Sequence, residues 1–110
     1  MKKYSLSTSI YRWYKRKKNP HLVDKRFSYG EGTYGVKKLN IFLWKKTDRI
    51  EIGKYCCIGP NVTIIASGEH YTNRVSLYPF KANILKLGDD WDTKSKGPVI
   101  IGNDVWIGHG

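Results

Sequence analysis

The sequence predicts an all-β domain in which short strands wind into a stacked coil, and three observations carry that expectation. An apolar residue recurs every six positions through Ile52-Gly53-Lys54-Tyr55-Cys56-Cys57-Ile58-Gly59-Pro60-Asn61-Val62-Thr63-Ile64, and again through Ile101-Gly102-Asn103-Asp104-Val105-Trp106-Ile107-Gly108. Four Ile-Gly pairs, at 52–53, 58–59, 101–102 and 107–108, fall in one phase. No helical pattern enters between residues 50 and 65. A period of six cannot make an apolar stripe at 3.6 residues per turn. It suits three short strands per turn of a coil, each coil burying its faces on the next.

Residues 1–22 form a basic arm. Leu6, Ile10, Trp13 and Tyr14 stand at helical spacing, Arg12, Lys15, Arg16 and Lys18 occupy the rest of the wheel, and Asn19-Pro20 is a stop signal. The chain carries a formal net charge of +11, and nine of its basic residues lie in the first 26 positions against Asp24 alone. The basicity is therefore mainly a property of the arm. Such a segment packs on its own domain or stays solvated, and it also suits peripheral contact with an anionic membrane surface. No recognition-module pattern accompanies its cations, so nucleic acid is not an expected partner.

Residues 23–110 read as one partial domain. Phe27, Tyr29, Gly30, Gly32, Tyr34 and Gly35, followed by Leu39 to Trp44 between lysine pairs, indicate short strands and turns. The predicted interior is Ile50, Ile52, Cys56, Ile58, Val62 and Ile64, then Ile101, Val105 and Ile107. The glycines after the aliphatics fit turns where a Cβ would crowd or φ is unusual. Cys56 is assigned to an interior slot and Cys57 to the outside. Adjacent cysteines pair badly, and the two further thiolates of a four-cysteine zinc site are lacking.

Residues 66–98 break the register. An insertion of this length without structure of its own is usually functional, and it contains His70. Without further context a loop histidine is better explained by a hydrogen bond to the backbone than by chemistry. Arg74 pairs with Asp89, Asp90 or Asp92, or else with an acceptor carboxylate. His21, His70 and His109 have neither the spacing nor the setting of a metal site, so no metal is expected. No apolar run approaches a membrane span or a signal segment, and nothing asks for an oxidising compartment, which makes the cytoplasm the expected location.

Taken together, Ile52-Gly53, Ile58-Gly59, Gly68-Glu69-His70, Tyr78-Pro79-Phe80 and Ile101-Gly102-Asn103-Asp104-Val105-Trp106-Ile107-Gly108 resemble the xenobiotic acyltransferase branch of the hexapeptide-repeat transferases, over about residues 27–110. The resemblance implies a left-handed parallel β-helix, a homotrimer with active sites between subunits, and acetyl-CoA as donor. By motif position it implies His70 as the catalytic base, Trp106 near the cofactor channel, and Tyr78 and Phe80 on the acceptor side. The activity it implies is O-acetyl transfer to a hydroxyl of a sugar, a polysaccharide or a small hydroxylated compound. The chemistry is consistent: a neutral imidazole is abundant at pH 7 and can take a hydroxyl proton, and a thiolate leaves without an acid of its own. Direct transfer needs no nucleophilic Ser or Cys. The second run stops in mid-repeat at Gly110, so the chain reads as a C-terminally truncated domain, and the alternative is an inactive fragment serving as a binding or assembly module.

Overall fold

The structure, a computed structural model, describes residues 19–88 and 91–110. The arm expected over residues 1–22 thus falls outside the described residues as far as Lys18, and Pro20–Val23 form a single 3-10 turn.

Among the described residues the regular elements are mostly short strands. In order come β1 (Phe27–Tyr29), β2 (Asn40–Phe42), β3 (Ile50–Ile52), β4 (Cys57–Ile58), β5 (Thr63–Ile65), β6 (Glu69–His70), a short helix α1 (Phe80–Asn83), β7 (Thr93–Lys94), β8 (Val99–Ile101) and β9 (Trp106–Ile107). Three small parallel sheets take seven of the strands: β1-β3-β8, β2-β5 and β4-β9. Tyr34 extends the last of these through a parallel bridge to Cys57. The chain visits the sheets in rotation, first β1, Tyr34 and β2, then β3, β4 and β5, then β8 and β9. Between the first and second circuits every pair is 23 residues apart: Phe27 to Ile50, Tyr34 to Cys57, Asn40 to Thr63.

The residues 27–49 therefore belong to the scaffold as a complete first circuit, and the stack is deeper than the two hexapeptide runs alone indicate. Its core joins both. Ile50, Ile52, Cys56, Ile58, Val62 and Ile64 are buried as the period predicts, together with Phe27, Val36, Leu39 and Ala66. Ile101, Val105 and Ile107 pack against this cluster half-buried. Each buried aliphatic of this size contributes about 1.5–3 kcal/mol relative to exposure. Cys56 is interior, its thiol donating to the carbonyl of Gly102 at 3.1 Å, and Cys57 lies on the outer row between Tyr34 and Trp106. The buried Thr33 hydroxyl donates to Gly53 O at 2.7 Å and accepts from Cys56 N at 3.0 Å, so it closes a polar gap in the wall.

The corners explain the glycines. Gly53 has no unusual φ, but a Cβ there would meet the Gly102 carbonyl and the Asn103 side chain of the next circuit. Gly59 is crowded in the same way by Gly108. The left-handed backbone conformation falls two positions later, on Tyr55, Asn61 and Asp104. Of the two reasons offered by the sequence, close approach is the one that operates at these Ile-Gly pairs. Side chains extend the ladder around the corners: Asn103 Oδ1 accepts from Lys54 N at 2.8 Å, and Asn61 Nδ2 donates to His109 Nε2 at 3.1 Å.

The first circuit is tied shut by Arg26. Its Nε and Nη2 donate to both oxygens of Asp24 at 3.0 and 2.7 Å, while Nη1 donates to the carbonyls of Lys45 and Leu43 at 2.7 and 3.2 Å. The guanidinium hydrogen bonds hold the Asp24 carboxyl below its ordinary value, against a smaller opposing effect of burial. A carboxyl depressed by folding adds stability above its unfolded value, about 3.9, and that contribution is lost as pH falls through the folded value. Asp24→Asn should therefore melt below the parent at neutral pH, and the gap should close as pH drops below about 4. Thermal melts of both proteins across that range check the sign.

Candidate active site

Strand β5 ends at Ile65 and β8 begins at Val99, and the intervening segment has structure of its own. β6 and β7 pair antiparallel, Glu69 with Lys94 and His70 with Thr93, so they form the neck of a long hairpin. The neck is pinned to the scaffold. Asp48, buried at the last corner of the first circuit, accepts from Lys45 N at 2.8 Å and from the Ser67 hydroxyl. Glu69 forms an exposed ion pair with Lys96 at 3.3 Å, which such exposure makes worth little.

His70 lies at the end of β6, exposed. Its Nδ1 is 2.7 Å from the carbonyl oxygen of Leu77. A carbonyl can only accept, so Nδ1 carries the hydrogen and the neutral ring holds its lone pair on Nε2. A proton taken up at Nε2 makes an imidazolium whose Nδ1–H still faces that carbonyl, and a hydrogen bond to a charged donor is stronger than to a neutral one. A histidine tied to the backbone through Nδ1 is thus also free to accept a proton at Nε2.

His70 lines a cleft of about 350 Å³ with Trp44, Gly68, Pro79, Ala82, Asn83 and Thr93. Trp44 is the wall that sequence reasoning missed. Its indole stacks on Phe42, with centroids 5.6 Å apart and planes at 21°, and its ring edge lies so close to Gly68 that a Cβ there would come within 2.7 Å. Gly68 has φ +103, which further reserves the position for glycine. The signal for Trp44 was available in the alternation of residues 40–44. Ile41 and Leu43 face the core, which puts Phe42 and Trp44 on the outside, and two bulky aromatics on a solvent face ask for a partner.

The other residues singled out by motif are distributed around this cleft. Tyr78 and Phe80 flank Pro79, and their rings pack edge to face at 4.8 Å; Pro79 lines the cleft and they do not. Trp106 sits on the outer face of β9, 80% exposed, in register with Cys57, and is not among the residues lining the cleft. Arg74 forms an ion pair, with Asp92 at 3.0 Å. His21 donates to Val36 O at 2.7 Å and so ties the 3-10 turn to the first circuit. Among the described residues no group of three or more His, Cys, Asp or Glu is placed to hold a metal ion, and no helix is long and apolar enough to cross a membrane.

Comparison with known proteins gives related sequences. The chain is 40% identical to a probable macrolide acetyltransferase of Lysinibacillus sphaericus over 56% of this chain and 37% of that protein. It is 29% identical to a chloramphenicol acetyltransferase of Agrobacterium fabrum over 86% of this chain and 50% of that protein. A chloramphenicol acetyltransferase of Klebsiella aerogenes is 31% identical over 83% of this chain and 49% of its own length. No family model and no solved structure matches the chain. The chain spans about half the length, or less, of these curated relatives. By sequence it is thus similar to proteins named as acetyltransferases.

Proposed function

We propose that the chain belongs to an acetyl-CoA-dependent O-acetyltransferase with His70 as general base. The observation that carries this reading is the Nδ1–H of His70 held on the Leu77 carbonyl at 2.7 Å, which leaves Nε2 as a base on a residue that lines a cleft. His70 Nε2 takes the proton of the acceptor hydroxyl as the oxygen attacks the thioester carbonyl. The tetrahedral intermediate then expels the thiolate, which receives the proton back from Nε2–H. Neither Cys56 nor Cys57 takes part, since Cys56 is enclosed and Cys57 lies away from the cleft.

The acceptor in this reading is a hydroxylated ring compound, a sugar unit or a small molecule, against the indole face of Trp44, with Tyr78 and Phe80 at the outer rim. Trp106 borders the donor. The scaffold is a left-handed parallel β-helix, a reading supported by the rotation of the chain through three parallel sheets in constant register. The active form is a homotrimer. Val75, Leu77, Tyr78, Phe80, Ile84, Leu85 and Leu87 expose apolar surface on the hairpin, which supports its packing against a neighbouring copy. The test is acceptor-dependent thiol release from acetyl-CoA with a panel of hydroxylated acceptors. Absence of release with every acceptor would remove the assignment.

A further inference from the structure

The hairpin that carries His70 has a hydrogen-bonding centre of its own, and it is neither His70 nor any residue on the motif. Asp92 is only 8% exposed. Its Oδ1 accepts from Arg74 Nη1 at 3.0 Å and its Oδ2 accepts from Ala82 N at 2.8 Å. Ala82 is the third residue of α1, so the carboxylate satisfies one of the amides that a first helical turn leaves without an internal partner. Arg74 in turn lies over the ring of Tyr71, its Cζ 4.1 Å from the centroid. Tyr71 follows His70 directly, and Thr93, which follows Asp92, pairs with His70 across the neck.

One buried carboxylate therefore joins three segments that surround His70: residues 71–74 after it, α1 opposite, and β7 beside it. Two of these bring Ala82, Asn83 and Thr93 to the cleft. We propose that Asp92 is a positioning residue, whose carboxylate sets the width of the cleft and the placement of its acceptor wall relative to His70. A hairpin of this size has little apolar interior; Val75, Leu77, Ile84, Leu85 and Leu87 all face outward. Its shape must come from polar ties, and hydrogen bonds to an enclosed charge are the strong ones. A misplacement near 1 Å at such a wall is enough to slow a reaction by about two orders of magnitude.

For its kinetic consequence the inference rests on the base assigned to His70; for its structural consequence it does not, and the experiment separates the two. Asp92→Ala removes both ties. Asp92→Asn keeps the shape but, with its amide oxygen held by the Arg74 guanidinium, turns an amide N–H toward Ala82 N. Both variants are compared with the parent by amide hydrogen exchange, and by donor and acceptor KM where turnover is present. The expected result is exchange at Ala82 accelerated by about tenfold or more, the loss of a hydrogen bond to a charged group. Exchange at Ile50 and Ile52 should stay at the parental rate. Acceptor KM should rise about tenfold, with donor KM within about twofold. Should Asp92→Ala fail to fold, Asp92→Asn carries the comparison. Unchanged exchange at Ala82 would overturn the proposal, as would donor and acceptor KM rising together with faster exchange in the core. If the parent shows no turnover, the acetyltransferase reading fails while the exchange comparison still decides the role of Asp92.

Discussion

Replacing His70 by alanine is expected to lower acceptor-dependent thiol release by about 10²–10⁴-fold, the usual contribution of a positioned general base. The loss should fall equally on kcat and kcat/KM, because the proton transfer is made only in the transition state. His70→Gln should fare no better. Glutamine can offer an N–H to the Leu77 carbonyl, but its remaining amide oxygen is too weak a base to hold a proton. Stability should change little. His70 is exposed, its one side-chain hydrogen bond lies within the hairpin at 2.7 Å to Leu77 O, and it has no place in the buried cluster. Surface substitutions of this kind stay within about 0.5 kcal/mol. An unaltered melt with abolished turnover is therefore the signature of a catalytic role. Full turnover in His70→Ala would leave the histidine as a backbone tie and nothing more.

The parts of this molecule that were legible in its sequence are the parts whose cause is local. Ile52, Cys56, Ile58, Val62 and Ile64 are interior because each strand is so short that one phase of six sets every inward position, and all of them are buried. The first circuit escaped that pattern. Its strands lie 23 residues before their partners, which is not a multiple of six, because the chain inserts the corner at Lys45–Asp48 before β3. Phe27, Thr33 and Leu39 keep the six-residue step of Ile50, Cys56 and Val62, but the polar Thr33 hides it as an apolar period, and Val36 lies off it. The segment between β5 and β8 was expected to lack structure and has a neck, a helix and a half-buried ion pair. Its organisation depends on contacts such as Asp92 to the Ala82 amide, and a backbone amide leaves no trace in a sequence. Trp44 reaches His70's cleft from 26 residues away, through its contact with Gly68. His70 itself was found only through the motif around it, since nothing in its neighbours' chemistry separates a tied loop histidine from a base.

A large effect on stability should come from a single methyl group. Gly30, Gly53 and Gly102 stand at one corner of successive circuits. A Cβ at Gly53 would lie 2.5 Å from the Gly102 carbonyl oxygen and 2.5 Å from Asn103 Oδ1, both closer than a carbon can approach. Backbone blocks the way, so neither a rotamer change nor a small side-chain shift relieves the clash; the circuits must separate. Separation breaks Gly53 N to Ile101 O at 2.8 Å and the tie from Lys54 N to Asn103, also 2.8 Å. Strain of this kind together with two lost hydrogen bonds gives a destabilisation of about 3 kcal/mol or more, a large share of the roughly 5–15 kcal/mol that holds a domain folded. For a chain of this size the melting temperature should fall by about 10–20 °C. Gly102→Ala is the matched control, because it changes the same letter of the repeat. No atom lies within 4 Å of its Cβ in this chain and its φ is not in the left-handed region, so it should be neutral or gain up to about 1 kcal/mol from a less flexible unfolded state. Equal effects of the two substitutions would mean that the glycines answer to backbone conformation alone; a large difference means that they answer to the circuit stacked against them.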